Sequence, residues 1–585
     1  MKKVIILAFA LLALTYSCSE DFLETVPLGR LSEGVFYNEK GIDALLIGAY
    51  ALLDGAGAGG WGGSYAWAGS VTNWVWGSIA SDDAYKGTDV SDQTPINPIE
   101  RYEVLSTNSY VNDKWIANYD GISRCNDVLK VLAITVENGD ISDAKVTQFK
   151  AEALFLRAWL HFELKRVYNN IPYITEDPEV DPATVTNTVD AWPLIEADLQ
   201  FGVTNLPATQ GDVGRPTKYA AMAVLARVHL FQQDFSTAAS LLDQIINSGQ
   251  YSLMPNYHDN YKIETNNNAE SIFEIQYSVN DGTSDSFNGG YGDCLNFPQG
   301  NELMATCCGF HQPSQNLVNA FKVDASGLPY LDTYNDTDLK NDQGFGSGDT
   351  FVPFTDVVDP RLDWTVGRRG IQYLDWRPMR GLDWIRDQGN GGPYLPKKNM
   401  FYQAEEGSLS TTTGWATGVN ANNYRAYRYA HILLWRAECH VEAGELAQAL
   451  ALVNQIRTRA ANQVVMGLCT TYEMPSGGTP VVDFSQPAAN YDVQPYAAFA
   501  NADYARKAVR HELRLEFGMD GHRYFDLRRW GILEPTLTAF IAGDTRLRGF
   551  LTGAIFNAGK DEYWPIPQNA IDQQGSDILT QNPNY

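Results

Sequence analysis

Apolar residues recur at helical spacing in two well-separated stretches of the chain. From Tyr219 to Leu253 the sequence YAAMAVLARVHLFQQDFSTAASLLDQIINSGQYSL puts Ala221, Leu225 and Val228 on one helical face, breaks at Gln232 to Asp234, and resumes with Phe235, Ala238 and Leu242. From Tyr427 to Ala460 the pattern returns through Leu434, Ala437 and Cys439, a turn at Gly444, and then Ala449, Leu452 and Ile456. Gly249 and Gly444 are the expected stops, since glycine readily takes the backbone conformation that ends a helix. Each stretch has the form of a tetratricopeptide-like unit. Helices are also predicted from Val111 to Leu132 and from Thr147 to Tyr168. Hairpins of this kind cannot bury their faces alone, so stacking on neighbours makes one continuous core. The predicted fold is mainly α: a scaffold of tetratricopeptide-like helical hairpins with long loop-rich elaborations and few short strands.

Near the C-terminus, Val509, Leu513 and Phe517 fall at i, i+4 and i+8, giving an apolar face to a helix that ends near Gly518. A second short helix follows through Tyr524, Phe525, Leu527 and Trp530. Charges of both signs crowd these helices. Arg510, Glu512, Glu516, Arg523, Asp526 and Arg529 are expected to form a structural clamp of ion pairs, with no nucleophile or metal signature beside them.

Between the helices lie long stretches rich in Gly, Asn, Asp and aromatic residues, chiefly 54–110, 280–425 and 470–500. Loops this long usually carry function. Trp61, Trp67, Trp74 and Trp76 crowd the first, and Trp364, Trp376, Trp384 and Tyr394 the second. Trp115, Trp159, Trp435 and Trp530 lie on predicted helices and are assigned to the core.

Composition narrows the function. A net charge of −27 argues against nucleic acid, whose phosphates need Lys and Arg. Aromatic residues reach 12%, with 14 Trp and 31 Tyr, a surplus that needs a use. The chain opens with Lys2 and Lys3, an apolar run from Val4 to Leu14, and small or polar residues up to Cys18. Residues 1–17 read as a signal peptide, Cys18 as a lipidation site, 18–30 as a lipidated tether and 31–585 as a single domain. The other cysteines show no C-x-x-C spacing, and no metal or cofactor is implied. G-x-S-x-G, H-E-x-x-H and P-loop motifs are absent, which gives no basis for an enzyme. Gly55, Gly57 and Gly60 match G-x-G-x-x-G, but they follow a helical run rather than a strand.

As a string, Arg510 to Gly531 (RHELRLEFGMDGHRYFDLRRWG) resembles the C-terminal signature of the SusD/RagB family, departing from it at Leu513 and Asp520. Further resemblance lies in DFLETVPLG after Cys18, IGAYALL, the SDD at Ser81 to Asp83, FLRAWLHF, PTKYAAMAVLARVHL, DPRLDWTV, YWPIPQNAI and the terminal QNPNY. It implies a nutrient-binding lipoprotein of Bacteroidota, anchored in the outer membrane and facing the cell surface. Such a protein delivers nutrient, most often glycan, to a SusC-like TonB-dependent transporter. Sugar rings stack their C–H faces on aromatic rings, and their hydroxyls need polar partners around that platform. The candidate platform is Trp61, Trp67, Trp74 and Trp76, with Asp82 and Asp83 as hydroxyl acceptors and Trp376 and Trp384 from the later loop. The alternative of a different class is a helical-repeat scaffold lipoprotein that recruits other proteins.

Overall fold

The computed structural model describes residues 33–55, 65–139, 141–283, 287–300, 306–412, 417–475, 478 and 480–585. Signal peptide, Cys18, tether and Trp61 lie outside them. Helices α1 (Glu39–Tyr50), α2 (Ser109–Asn138), α3 (Asp143–Tyr168), α4 (Trp192–Asn205), α5 (Lys218–Phe231) and α6 (Phe235–Asn247) pack each against the next. After a long excursion, α7 (Tyr429–Glu442) lies on α6, α8 (Leu446–Ala460) packs back on α7, and α9 (Ala502–Phe517) covers both. The helical row is therefore continuous in space although residues 248–428 interrupt it in sequence.

Local chemistry sets the hairpins. Asp234 caps α6 by accepting the Thr237 N–H at 3.1 Å, and Thr217 caps α5 through Ala220. Gly249 and Gly444 stand at φ +64° and +77°, where they end α6 and turn α7 into α8. Burial goes further than a single stripe. Every residue of α5 from Tyr219 to Val228 is buried, including Arg227, as is every residue of α3 from Ala151 to Tyr168. Both helices have neighbours on all sides, so their charged side chains must find partners inside.

The strands are short. β1 (Ala84–Gly87), β2 (Ser271–Ile275), β3 (Phe310–Pro313) and β4 (Tyr424–Arg428) form two antiparallel pairs, β1 with β3 and β2 with β4. The β2–β4 pair closes the base of the excursion, and β1–β3 ties the segment after α1 to it. The excursion owns a small second core that includes Phe297, Tyr373, Met379, Trp384, Leu395 and Phe401. Cys307 and Cys308 are joined to each other, while Cys125, Cys294, Cys439 and Cys469 are buried thiols. No helix of the described residues is long and apolar enough to cross a membrane.

Candidate functional site

Glu512 and Glu516 stand one turn apart on α9 and therefore point the same way. Glu516 receives Arg428 at 2.6 Å, Arg361 at 3.1 Å and Arg459, while Glu512 receives Arg361 at 2.7 Å and Arg457 at 3.0 Å. Glu270 bridges Arg428 and Arg459 at 3.2 and 2.8 Å, and Asp359 holds Arg361 at 2.8 Å. Four guanidiniums thus meet four carboxylates, all buried. Burial alone would push the Glu516 carboxyl up, but its three arginines outweigh that and hold it well below the usual carboxylate range.

A second group surrounds α10 (Arg523–Arg529). Asp526 sits between Arg227 at 2.5 Å and Arg529 at 2.8 Å; Arg529 also reaches Glu438 at 2.6 Å, and the Trp530 indole N–H donates to Glu438 at 2.8 Å. Burial raises the Asp526 carboxyl, yet Arg227 and Arg529 bring it down to about 2. Arg510, expected in the clamp, instead lays its guanidinium over the Trp530 ring, 5.1 Å from the centroid. The two departures from the family signature have plain reasons. Leu513 is core, and Asp520 is the partner of Lys398 at 3.2 Å and of the Tyr261 hydroxyl at 2.9 Å.

The first aromatic stretch folds directly onto this clamp. A Cβ at Gly521, which has φ +76°, would stand 1.7 Å from the Thr72 carbonyl oxygen, and one at Gly77 would stand 1.8 Å from the Gly521 carbonyl. Only glycine at both positions permits that crossing. It delivers Asp82 and Asp83 to the C-terminal helices: Arg514 pairs with both at 3.0 Å, and Arg523 pairs with Asp82 at 2.8 Å. Burial works against the Asp82 charge, but Arg514 and Arg523 prevail and hold it at about 2.

These positions overturn the tryptophan platform around residues 67–83. Every residue from Ala66 to Thr88 is buried. Asp82 and Asp83 are 0% and 2% exposed and are paired with arginines, Asp82 through both oxygens and Asp83 through one, so neither is open to ligand hydroxyls. The Trp74 indole donates to the Gly292 carbonyl at 2.9 Å and the Trp76 indole to Ala68 at 2.8 Å, and Trp76 meets Trp564 edge-on. Trp67 lies against the Cys294 sulfur at 3.4 Å, and Trp384 is buried edge-on to Tyr373. Each ring is covered by protein on its apolar faces. Trp376 differs: it is half-buried at the rim of the second core, with its N–H on the Phe401 carbonyl at 3.2 Å.

The buried segment reaches the surface just after Thr88, at Asp89. Lys86, fully buried, aims its ammonium at the carbonyls of Asp89, Val90 and Asp92 at 3.0, 3.4 and 2.9 Å, and its backbone N–H donates to Glu100 at 2.9 Å. Asp89 accepts from the Ser91 N–H and hydroxyl at 2.9 and 2.6 Å. Held this way, Asp89 and Asp92 both face Arg386, each at 2.5 Å. Arg386 also donates to the Thr88 hydroxyl at 2.8 Å and reaches Gln299 at 3.4 Å. The side chains of Arg386, Asp89 and Asp92 are 27–32% exposed, so donors and acceptors from three distant stretches converge on one half-open patch. Nothing periodic marks Asp89, Asp92, Gln299 or Arg386 in the sequence.

With the fold and this patch in view, comparison with known proteins assigns the class. Residues 269–585 match the family model described as SusD family, and residues 21–230 match the model described as starch-binding associating with outer membrane. The first match alone spans more than half of the chain, which belongs to the SusD family. SusD-like protein P2 of Formosa agariphila is 24% identical over the whole of both chains. Among solved structures, a SusD homolog from Bacteroides thetaiotaomicron superposes with a TM-score of 0.68 at 21% identity, covering 95% of this chain and 99% of its own. Surface glycan-binding protein A from the same organism, solved in complex with laminarihexaose, gives 0.63 at 22% identity, covering 93% of this chain and 99% of its own.

Proposed function

We propose that this chain is a glycan-binding lipoprotein of the outer-membrane surface, held there through Cys18 and delivering its ligand to a SusC-like TonB-dependent transporter. Family membership supports the class, and the laminarihexaose complex of its structural neighbour supports glycan as the ligand type. The observation that carries the location is the patch at Arg386. Sugar hydroxyls both donate and accept, and there a guanidinium, two carboxylates and an amide are presented together at partial exposure. Among the described residues of the platform, Trp376 is the tryptophan that stays half-buried and so keeps area for stacking.

The patch is read as binding rather than hydrolysing. The Ser91 hydroxyl holds the Asp89 carboxyl below its usual range; burial opposes it as the next-largest effect, and the Ser91 N–H, Arg386 and the Asp92 N–H add to the lowering. Asp89 has lost its proton at neutral pH and cannot be the proton-keeping acid of a glycosidase, and the neighbouring carboxyl that burial raises to about 7, Glu100, is buried on the Lys86 N–H instead of facing the patch opening.

The test is affinity electrophoresis and titration calorimetry of the mature protein against a polysaccharide panel. At least one glycan is expected to bind. Arg386→Ala should weaken that binding at least tenfold while the melting temperature stays within about 2 °C, because a partly exposed ion pair contributes only ~0–1 kcal/mol. Co-purification with soluble protein partners and no glycan binding would select the scaffold alternative. Detergent extracts of the outer membrane are expected to yield the transporter in complex with the protein, and Cys18→Ala should release it from the membrane fraction.

A further inference from the structure

We infer that the bond between Cys307 and Cys308 is a positioning element of the Arg386 patch, and that glycan affinity depends on this bond being closed. The inference rests on the reading of the patch as the glycan site. A disulfide ordinarily stabilises a fold by closing a loop, and the effect grows with the length of chain enclosed. Here the two cysteines are neighbours in sequence, so their bond encloses no loop. What it confines is the strip of chain on either side of it.

That strip is tied to two sides of the patch. The Phe297 N–H donates to the Cys307 carbonyl at 3.2 Å, the Gly309 N–H to the Phe297 carbonyl at 2.9 Å, and the Thr306 hydroxyl to the Pro298 carbonyl at 2.6 Å. These bonds hold the cysteine pair against the segment that leads into Gln299. On the other side, the Gly309 carbonyl accepts the Thr88 N–H at 2.5 Å, where β1 ends. Thr88 and Gln299 are two of the groups that Arg386 reaches, at 2.8 and 3.4 Å. Gly309 occupies the space between them: a Cβ there would lie 3.5 Å from the Arg386 Cβ, 3.8 Å from that of Gln299 and 3.8 Å from the Thr88 Cα. Its φ of +77° suits glycine and resists a side chain. The residue at the floor of the patch therefore follows directly on two cysteines whose side chains are tied together. Closing that bond removes freedom from the strip before ligand arrives, and so lowers the ordering cost of binding.

Cys307 is half-buried, which leaves the bond open to a water-soluble trialkylphosphine. The phosphine supplies two electrons, takes up oxygen from water and leaves as its oxide, and both sulfurs become thiols. Mass spectrometry after denaturing alkylation then counts two more thiols than in the untreated protein. Oxidised protein, reduced protein and the doubly substituted Cys307→Ser with Cys308→Ser are titrated with laminarin, starch and galactomannan. For whichever glycan the oxidised protein binds, affinity is expected to fall about tenfold or more on reduction and equally in the double variant. The phosphine should not change the double variant further. Melting temperature is expected to stay within about 2 °C, because no loop has been opened. Amide hydrogen exchange should quicken at Thr88 and Gly309 but not in α3 or α5. Reduced protein that binds as tightly as oxidised protein overturns the inference and leaves the glycan reading in place. Unchanged exchange at Thr88 refutes the positioning role, and a large fall in melting temperature assigns the bond to the fold instead of the patch. Oxidised protein that binds no polysaccharide overturns the glycan reading itself.

Discussion

Replacing Glu516 by Gln removes one charge from the centre of the clamp and almost no volume. Arg361, Arg428 and Arg459 all lose a charged partner, and all are buried. Removing one partner of a buried ion pair typically costs ~3–5 kcal/mol, because the guanidiniums left behind cannot be rehydrated. Partial compensation remains, since Arg361 keeps Asp359 and Glu512, and Arg428 and Arg459 keep Glu270. A cost of about 4 kcal/mol is therefore expected. At ~2.1 cal/mol/K per residue, an unfolding unit of roughly 550 residues has an entropy of about 1.2 kcal/mol/K, so the melting temperature should fall by about 3 °C. Differential scanning calorimetry at pH 7 measures this against Glu442→Gln, which breaks a surface pair with Arg506 that is 23–30% exposed and is worth ~0–1 kcal/mol. Equal shifts for the two variants would show that the buried network adds nothing beyond a surface pair.

The crossing of Gly77 and Gly521 predicts that Gly521→Ala yields little soluble protein, since the new methyl meets backbone at 1.7 Å. Gly444→Ala, at φ +77° with open space around it, should cost only ~1–2 kcal/mol and still express. Trp76→Ala is expected to destabilise by ~3–5 kcal/mol in denaturant unfolding, as deletion of a fully buried ring does; a neutral result would return Trp76 to the candidate ligand contacts. The Asp526 carboxyl lies at about 2 against an ordinary 3.8, so its ionised form stabilises the fold above pH 4, and that contribution is lost as pH falls from about 4 to 2. Asp526→Asn should lower stability at pH 7 and flatten the decline between pH 4 and 2, and a decline as steep as the parent's would count against the Arg227–Asp526–Arg529 pairing.

The helical hairpins were legible because their signal is local. Leu225 and Val228, or Ala449 and Ile456, sit at helical spacing whatever surrounds them, and Gly249 and Gly444 end their helices through their own backbone freedom. Family membership was legible for a related reason: Glu512, Glu516, Arg523 and Asp526 must be charged to serve buried partners such as Arg361, Arg428, Asp82 and Arg227, and Gly521 must lack a side chain, so the string itself records those demands. Two things depended on tertiary structure. Whether a tryptophan in a Gly-rich stretch stacks on a sugar or fills a core turns on what covers it, and Trp74 and Trp76 are covered by chain that lies far away in sequence, around Gly292 and Trp564. The patch at Asp89, Asp92, Gln299 and Arg386 has no periodicity at all. Side chains nearly 300 positions apart meet only because β1 pairs with β3 and the 382–390 turn packs beside them, and such long-range placement leaves no trace in local spacing.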